Sequence, residues 1–201
     1  MSFDSEKRLQ VINYIVNSLE PSDGLSKEFI GKLVYMANKL FLLKYGCTIT
    51  GDKLIAMERG TTCSETLGIM DKEIKYAKDK EIIKSFERQY EVTLRPHSKK
   101  IHSIFPKSKP NKVYDTLSER EKEILDIIIC RFGQMSASEI SKYAHQFYEW
   151  KKFETSGEKS LDIDVNEVFK DNTFWEDAEL SKYLNKEYRT IPQMIYNGDI
   201  D

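Results

Sequence analysis

The chain has 201 residues, of which 40% are hydrophobic and 32% are charged, and its formal net charge at pH 7 is −2. This composition is ordinary for a soluble globular protein with a substantial core, and it is too apolar for a disordered chain. The small net charge gives no general case for binding nucleic acid or an anionic membrane.

Targeting signals and cysteine usage indicate the cellular compartment and exclude some kinds of structural site. No apolar run approaches the roughly 20 residues that a membrane-spanning helix needs. The first ten residues, MSFDSEKRLQ, lack the apolar core of a secretory signal, so we expect a cytoplasmic protein with no membrane partner. The three cysteines, Cys47, Cys63 and Cys130, are widely spaced and odd in number. This pattern argues against a disulfide framework and against a structural zinc site.

Two amphipathic helices are predicted at the start of the sequence. Apolar residues on one side predict the first helix over residues 5–19. The second begins after Ser26, whose hydroxyl can cap the first turn, and it ends at Gly46, which can adopt the left-handed conformation. Its apolar stripe consists of Phe29, Ile30, Leu33, Val34, Ala37, Leu40 and Phe41. A turn over residues 48–52 and a strand over residues 53–57 follow.

The next segment is predicted to be a loop over residues 59–64 and then a helical region. Ser64 can cap this region, which runs from residue 65 to about residue 89 and is interrupted near residues 68–71.

Alternation with period two over residues 90–94 and 100–104 predicts a hairpin, whose loop is residues 95–99. Together with the strand at residues 53–57, this hairpin would form one antiparallel sheet of about three strands. The predicted fold class is therefore mainly α with a small inserted antiparallel β-sheet.

Two capping boxes, Ser118 with Glu121 and Ser136 with Glu139, predict helices over residues 117–133 and 137–150. Their short connection gives the outline of a helix-turn-helix. An alternative function is therefore a DNA-binding transcriptional regulator that uses residues 118–150 and the basic hairpin. The second helix offers few contacts to DNA, and helical hairpins of this kind are commonly plain packing units.

The last fifty residues are more acidic than the rest, with 7 basic and 12 acidic residues over 151–201. We predict a domain over residues 1–152 and an acidic helical extension over residues 153–201, packed on the domain or on a partner. A short helix is expected over residues 162–170. A third capping box, Thr173 with Glu176, would open a helix to about residue 188, and residues after 190 would be frayed.

No set of catalytic residues is evident from the sequence. The glycines form neither a phosphate-binding loop nor a dinucleotide fingerprint, and no zinc-protease or nucleophile-elbow motif occurs. His97 and His102 lack further ligands nearby, and nothing adjacent would activate Cys47. His145 is a conceivable general base but is better explained as a packed histidine in a helix interface. We therefore expect no enzyme, no metal and no cofactor.

Two blocks of sequence resemble the Panacea domain, an antitoxin domain of bacterial and phage toxin–antitoxin systems. The first block comprises KLVYMAN at residues 32–38, YGCTITGD at residues 45–52 and Gly60-Thr61-Thr62. The second comprises Leu117, Ser118, Glu121, Gly133, Ser136, Ala137, Glu139, Ile140, Ser141, Ala144, His145 and Trp150. The order and spacing of both blocks agree with the family, so the resemblance covers roughly residues 5–152.

The resemblance implies a non-enzymatic antitoxin that neutralises a cognate protein toxin by direct binding, and in some relatives delivers it to a protease. The residues that it singles out, as structural or partner-binding, are Tyr35, Asn38, Tyr45, Gly46, Ile49, Thr50, Gly51, Asp52, Gly60, His145 and Trp150. The sequence departs from the family pattern at Thr48, where a proline is usual, at Asn38, and at Thr61 and Thr62, which replace Pro-Val.

The extension supplies a second hypothesis for partner binding. Phe174, Trp175, Glu176, Asp177 and Tyr183 could cover a basic toxin surface, with the aromatic rings as anchors and the carboxylates steering the encounter. The simpler alternative is that these residues pack on the protein's own domain. The sequence names neither the toxin nor the oligomeric state.

Overall fold

The computed structural model describes residues 2–20, 24–94, 101–107 and 112–200, and within them the fold is mainly helical, as predicted. The helices are α1 (Phe3–Leu19), α2 (Lys27–Tyr45), α3 (Ser64–Asp71), α4 (Ile74–Ala77), α5 (Lys80–Gln89), α6 (Glu119–Phe132), α7 (Ala137–Ala144), α8 (Tyr148–Glu154), α9 (Val165–Lys170), α10 (Thr173–Glu176) and α11 (Ile191–Asn197). The strands are β1 (Leu25–Ser26), β2 (Leu54–Met57), β3 (Gly60–Cys63), β4 (Tyr90–Leu94), β5 (Ile101–Pro106) and β6 (Ser160–Asp162). Two 3₁₀ turns span Leu180–Tyr183 and Lys186–Tyr188. Among the described helices, none combines the length and the apolar character needed to cross a bilayer.

Helix α2 is the centre of the core. Of its 19 residues, 16 are buried, so neighbours surround it on every side and most of its polar residues are buried too, among them Lys32, Asn38 and Lys39. Both predicted caps are confirmed. The Ser26 hydroxyl accepts a hydrogen bond from the Phe29 amide at 3.2 Å, and Gly46 ends the helix with φ 75°. These local signals placed the helix correctly because they do not depend on distant residues.

Two small antiparallel sheets form, where the sequence predicted one. The β4–β5 hairpin has β1 as its third strand, giving the order β1-β5-β4. Strand β2 lies in the other sheet, β3-β2-β6, and does not join the hairpin. The predicted hairpin loop over residues 95–99 lies outside the described residues.

The physical reason for this error is a nearer partner for β2. The backbone turns at Glu58 and Arg59, and β3 pairs at once with β2, from Met57 opposite Gly60 to Leu54 opposite Cys63. The predicted loop over residues 59–64 is therefore mostly strand. The β6 strand, which was predicted to be linker and helix start, closes the other edge of the same sheet.

The helical region after residue 64 divides later than predicted. Its breaks fall at Lys72, directly after the predicted interruption near residues 68–71, and at Lys78; both lysines adopt positive φ. Gly68 lies so close to the following turn that a Cβ there would sit 2.5 Å from the Ala77 amide nitrogen. Ser64 does not cap α3. The first-turn amide of Thr66 instead donates to the Asp52 carboxylate at 2.8 Å.

Two helices near the end of the sequence also differ from the prediction. The helix expected over residues 137–150 ends at Ala144, and a separate α8 begins at Tyr148. The third capping box is wrong: Asn172 is the N-cap residue, its side chain makes no capping hydrogen bond, and α10 ends at Glu176 and not near residue 188. The Asp171 carboxylate accepts from the Thr173 amide and hydroxyl, both at 3.0 Å. The segment after residue 190 contains α11, with Pro192 buried.

The contact between α11 and the end of α2 can be tested at Gly46. A Cβ at this position would lie 2.5 Å from the Pro192 carbonyl oxygen, and φ is 75°. Gly198 has the same φ but nothing within 4 Å, so it is a matched control. We expect Gly198→Ala to cost about 1 kcal/mol of unfolding free energy from backbone strain alone, and Gly46→Ala to cost about 1–3 kcal/mol more from overpacking. Chemical denaturation measures both, and equal losses would contradict the packing of α11 on α2.

Candidate functional site

A buried charged cluster joins α2, α8 and the segment before α10. The Lys39 ammonium lies 2.6 Å from Glu149 Oε1 and 3.1 Å from Asp171 Oδ2. The exposed fractions of Lys39, Glu149 and Asp171 are 0%, 2% and 3%. The Tyr35 hydroxyl donates to the same Glu149 oxygen at 2.6 Å. We call Tyr35, Lys39, Glu149 and Asp171 the Lys39 cluster.

The surroundings of the Lys39 cluster fit a structural role. The ammonium lies 3.9 Å from the centre of the Phe147 ring, which adds a cation–π contact. Burial and the Glu149 carboxylate raise the pKa of Tyr35 well above its ordinary value, so this hydroxyl stays protonated. Asp171 also accepts from the Tyr148 amide at 2.8 Å. One carboxylate of the extension therefore neutralises the core lysine and fixes the start of α8.

A second buried polar cluster, the Asn38 cluster, holds the turn between α2 and β2. Asn38 Nδ2 donates to Thr50 Oγ1 at 2.9 Å and to Cys63 Sγ at 3.3 Å, and Asn38 Oδ1 accepts from the Thr50 amide at 3.0 Å. Arg8 Nε donates to Asp52 Oδ2 at 3.3 Å, and Arg8 Nη2 donates to the Gly51 carbonyl at 3.1 Å. Burial raises the pKa of Asp52 above its ordinary value, although the nearby Arg8 charge opposes the rise. These side chains fix the turn in place.

The other predicted residues of this segment differ in burial. Ile49 is buried in the core. Tyr45 is partly buried, with its ring centre 4.7 Å from that of Phe41. Cys63 is buried and the neighbouring Cys47 is exposed, and desolvation raises the pKa of both thiols, which disfavours the reactive thiolate at neutral pH.

The tip of the β2–β3 hairpin brings together residues from both sequence blocks. Trp150 Nε1 donates to the Met57 carbonyl at 2.9 Å, and the Ser141 hydroxyl donates to the Arg59 carbonyl at 2.7 Å. The His145 ring stacks on the Trp150 ring, with centres 3.7 Å apart and an interplanar angle of 9°. Helices α7 and α8 therefore hold the hairpin tip in place.

Gly60 lets the hairpin tip approach α2 closely. Its φ is 113°, and a Cβ there would lie 3.2 Å from both Lys32 Cε and Ala144 Cβ. A glycine is therefore needed for both the backbone conformation and the close approach. The Lys32 side chain lies directly against it.

Lys32 is 5% exposed, and no hydrogen bond or ion pair joins it to any residue that the structure describes. Burial lowers its pKa from 10.5 to about 8, and the Arg59 charge acts in the same direction. Burial also lowers the pKa of His145, with the Lys32 charge as the next cause, while the Glu154 charge and the backbone of Glu58 and Arg59 oppose this shift. We call Lys32, Arg59, Gly60 and His145 the Lys32 recess.

The five extension residues predicted to contact a partner divide into two groups. Phe174 and Trp175 are buried against the protein's own core. Asp177 Oδ2 lies 3.0 Å from Arg131 Nη2 and accepts from the Tyr143 hydroxyl at 2.8 Å. Glu176 and Tyr183 are exposed, and of the five they are the side chains most accessible to a partner.

Tyr183 also lines a shallow groove between α1 and α6. The groove is further lined by Tyr14, Glu119, Lys122, Glu123, Asp126 and Ile127. Three of these residues carry carboxylates, and the Lys122 ammonium is paired with Glu119 at 2.8 Å. An acidic surface with exposed tyrosine is suited to a basic protein partner.

The sequence analysis did not identify the buried charged residues of the site. Lys39, Glu149 and Lys32 were not singled out as site residues, although Lys32 stands in the first block. The available signal was that Lys32 and Lys39, seven residues apart, interrupt a helix whose other interior residues are almost all apolar. Over the described part of the sequence, no group of three or more His, Cys, Asp or Glu side chains is placed to hold a metal ion.

Comparison with known protein families gives a match. The family model described as "Antitoxin SocA-like, Panacea domain" matches residues 30–151, which include most of the central helix, the hairpin tip and the stacked His145–Trp150 pair. No curated protein and no solved structure gives a significant match.

The importance of the Lys39 cluster can be tested by removing its cation. Lys39→Met leaves two buried carboxylates without their counter-charge, so we expect a loss of about 3–5 kcal/mol in the free energy of unfolding. Lys44→Met, on the same helix but half-exposed, is the control and should change stability by no more than about 0.5 kcal/mol. Urea denaturation measures the free energy of unfolding of both variants. Similar decreases in the two would show that Lys39 contributes no more to stability than a surface lysine.

Lys32 should have the opposite effect on stability. The unfolded lysine binds a proton up to about pH 10.5 but the folded one only up to about pH 8, so its contribution to stability rises with pH between these values. At pH 7 the buried charge is a penalty. We expect Lys32→Met to be more stable than the wild type by on the order of 3 kcal/mol at pH 7, at about 1.4 kcal/mol per pKa unit.

The pH dependence is the specific check on Lys32. The stability difference between Lys32→Met and the wild type should fall towards zero as the pH rises from 8 to 10.5. Denaturation curves at several pH values measure it. A difference that does not change with pH would mean that the charge of Lys32 is not the cause.

Proposed function

Because the protein belongs to the SocA-like antitoxin family with the Panacea domain, we propose that it neutralises a cognate protein toxin by binding it directly. The match to residues 30–151 is the observation that carries this proposal. The matched segment contains most of both polar clusters and the hairpin tip, so the family assignment covers the structural centre of the molecule.

The geometry of the polar clusters supports binding and not catalysis. Lys39 and Glu149 pair with each other, and both are too buried to reach a substrate. Asp52 and Asn38 make their hydrogen bonds within the protein. These residues stabilise the shape of the surface, and we propose that the protein acts through that surface, without a cofactor.

The surface proposed to contact the toxin includes the groove beside α6 and the exposed residues of the extension. Tyr183 is a large aromatic side chain, 41% exposed, next to the carboxylates of Glu123 and Asp126. Tyrosine is enriched at binding hot spots, and carboxylates around it would steer a basic partner. The hairpin tip, with Arg59 exposed, is a second contact region.

The structure offers little to the alternative function as a DNA-binding regulator. The second helix of the proposed helix-turn-helix has eight residues, and the His145 ring is engaged in stacking on Trp150. On the neighbouring helix α6, Glu119, Glu123 and Asp126 line one groove, where they would repel phosphates.

Co-expression with the toxin encoded beside this protein's gene tests the proposal. We expect restored growth and a stable complex that co-purifies, because masking requires direct contact. Toxin levels should be the same in cells that have the major cytoplasmic proteases and in cells that lack them. Rescue that depends on a protease, with falling toxin levels, would indicate delivery for degradation. Rescue with neither a complex nor toxin loss would contradict direct binding.

The same experiment can locate the interface with a matched pair of tyrosines from the extension. Tyr183→Ala should weaken toxin binding about tenfold or more, because an aromatic anchor is lost. Tyr188 is 56% exposed, lies outside the groove and serves as the control. Equal affinities for the two variants would exclude the groove as the main contact.

A further inference from the structure

Lys32 and Lys39 form an internal comparison within α2. Both side chains are almost fully buried, and both belong to the same helix. Lys39 faces two carboxylates at 2.6 Å and 3.1 Å, whereas Lys32 has no ion pair with any described residue. A buried charge without a partner is destabilising. Two carboxylates offset this cost at Lys39, whereas no described residue offsets it at Lys32.

The groups around Lys32 do not supply the missing anion. Arg59 acts on it as a second positive charge, and the Lys32 charge in turn lowers the pKa of His145. Glu28, one helical turn earlier, is engaged with Arg59 at 3.4 Å. Glu154 influences His145 but is not among the groups that act on Lys32. Among the described residues, the Lys32 ammonium is therefore a buried positive charge without an ion-pair partner.

The recess lies next to an exposed part of the hairpin. The turn residues at the hairpin tip, Glu58 and Arg59, are both exposed. Gly60 contributes no side chain, so on that side the Lys32 stem lies against backbone alone. Lys32 keeps 5% of its own surface exposed, and a partner group would approach it there.

We propose that the Lys32 recess receives a carboxylate of the protein partner, either from an Asp or Glu side chain or from the partner's C-terminus. This inference rests on the proposed antitoxin function and names one contact of it. One carboxylate matches the single uncompensated ammonium and would form a charge-assisted hydrogen bond with it at a largely buried position, where Lys32 is 5% exposed. The destabilisation that the buried charge causes in the unbound protein would be relieved when the partner binds.

A small-anion titration tests the recess without the toxin. The probe is sodium acetate, added at constant ionic strength to the full-length protein labelled with ¹³C-lysine, and the readout is the Lys32 Cε resonance. We expect a saturable shift of this resonance and a pKa of Lys32 that rises with acetate. In Lys32→Met no lysine should respond saturably, whereas Lys151→Met, which removes an exposed lysine of α8, should leave the response intact.

Three results would overturn the inference. The first is a Lys32 resonance that shows no saturable change with acetate. The second is a saturable response of other lysines that persists in Lys32→Met. The third is saturation by sodium phosphate at far lower concentration than by acetate, which would assign the recess to a phosphate group.

Toxin binding provides the second measurement. Lys32→Met should lower the affinity for the toxin about tenfold or more, while Lys151→Met keeps it. Because Lys32→Met is expected to be more stable than the wild type, unfolding would not explain such a loss. Equal affinity of Lys32→Met and wild type would contradict the recess contact and leave the antitoxin function standing. Absence of toxin binding by the wild type would contradict the proposed function itself.

Discussion

The ion pairs of Lys39 are the constraint on which the rest of the structure depends. Burying an ammonium with no solvent exposure is strongly unfavourable without partners, and the two carboxylates of Lys39 come from α8 and from the segment after α9. These segments must therefore dock on α2 in one arrangement. Buried ion pairs often add little net stability, but they discriminate strongly against alternative packings in which one partner is missing. At this site they set the relative positions of three segments that are distant in sequence.

The sequence predicted those features whose causes are local. The caps of α2 and the capping boxes at Ser118 and Ser136 were correct because each depends on neighbours within a few residues. The partners of β2 were not predictable, since β6 comes from a three-residue strand about a hundred residues later. The motif at Thr173 failed because the Thr173 hydroxyl donates instead to Asp171, which also pairs with Lys39.

The candidate site was located by its motifs, but its chemistry was not. The two blocks pointed to Tyr35, Gly60, His145 and Trp150, which the structure brings to α2 and the hairpin tip. Lys32 and Lys39 were not identified because hydrophobic periodicity locates the apolar face of a helix and gives no information about a charged residue within it. Only the three-dimensional arrangement shows that one of them is neutralised and the other is not. For an antitoxin, that difference separates a residue that maintains the fold from one available for contact with a partner.

The pairing of Asp171 with Lys39 also bears on how long the protein persists in the cell. Between α8 and β6 the backbone passes through residues 155–159, all of them exposed, which is the kind of segment that proteases cleave first. A single cut there would leave β6 and Asp171 joined to the rest of the protein only by noncovalent contacts, among them the ion pair with Lys39. Damage at one accessible point would thus weaken the packing around the central helix.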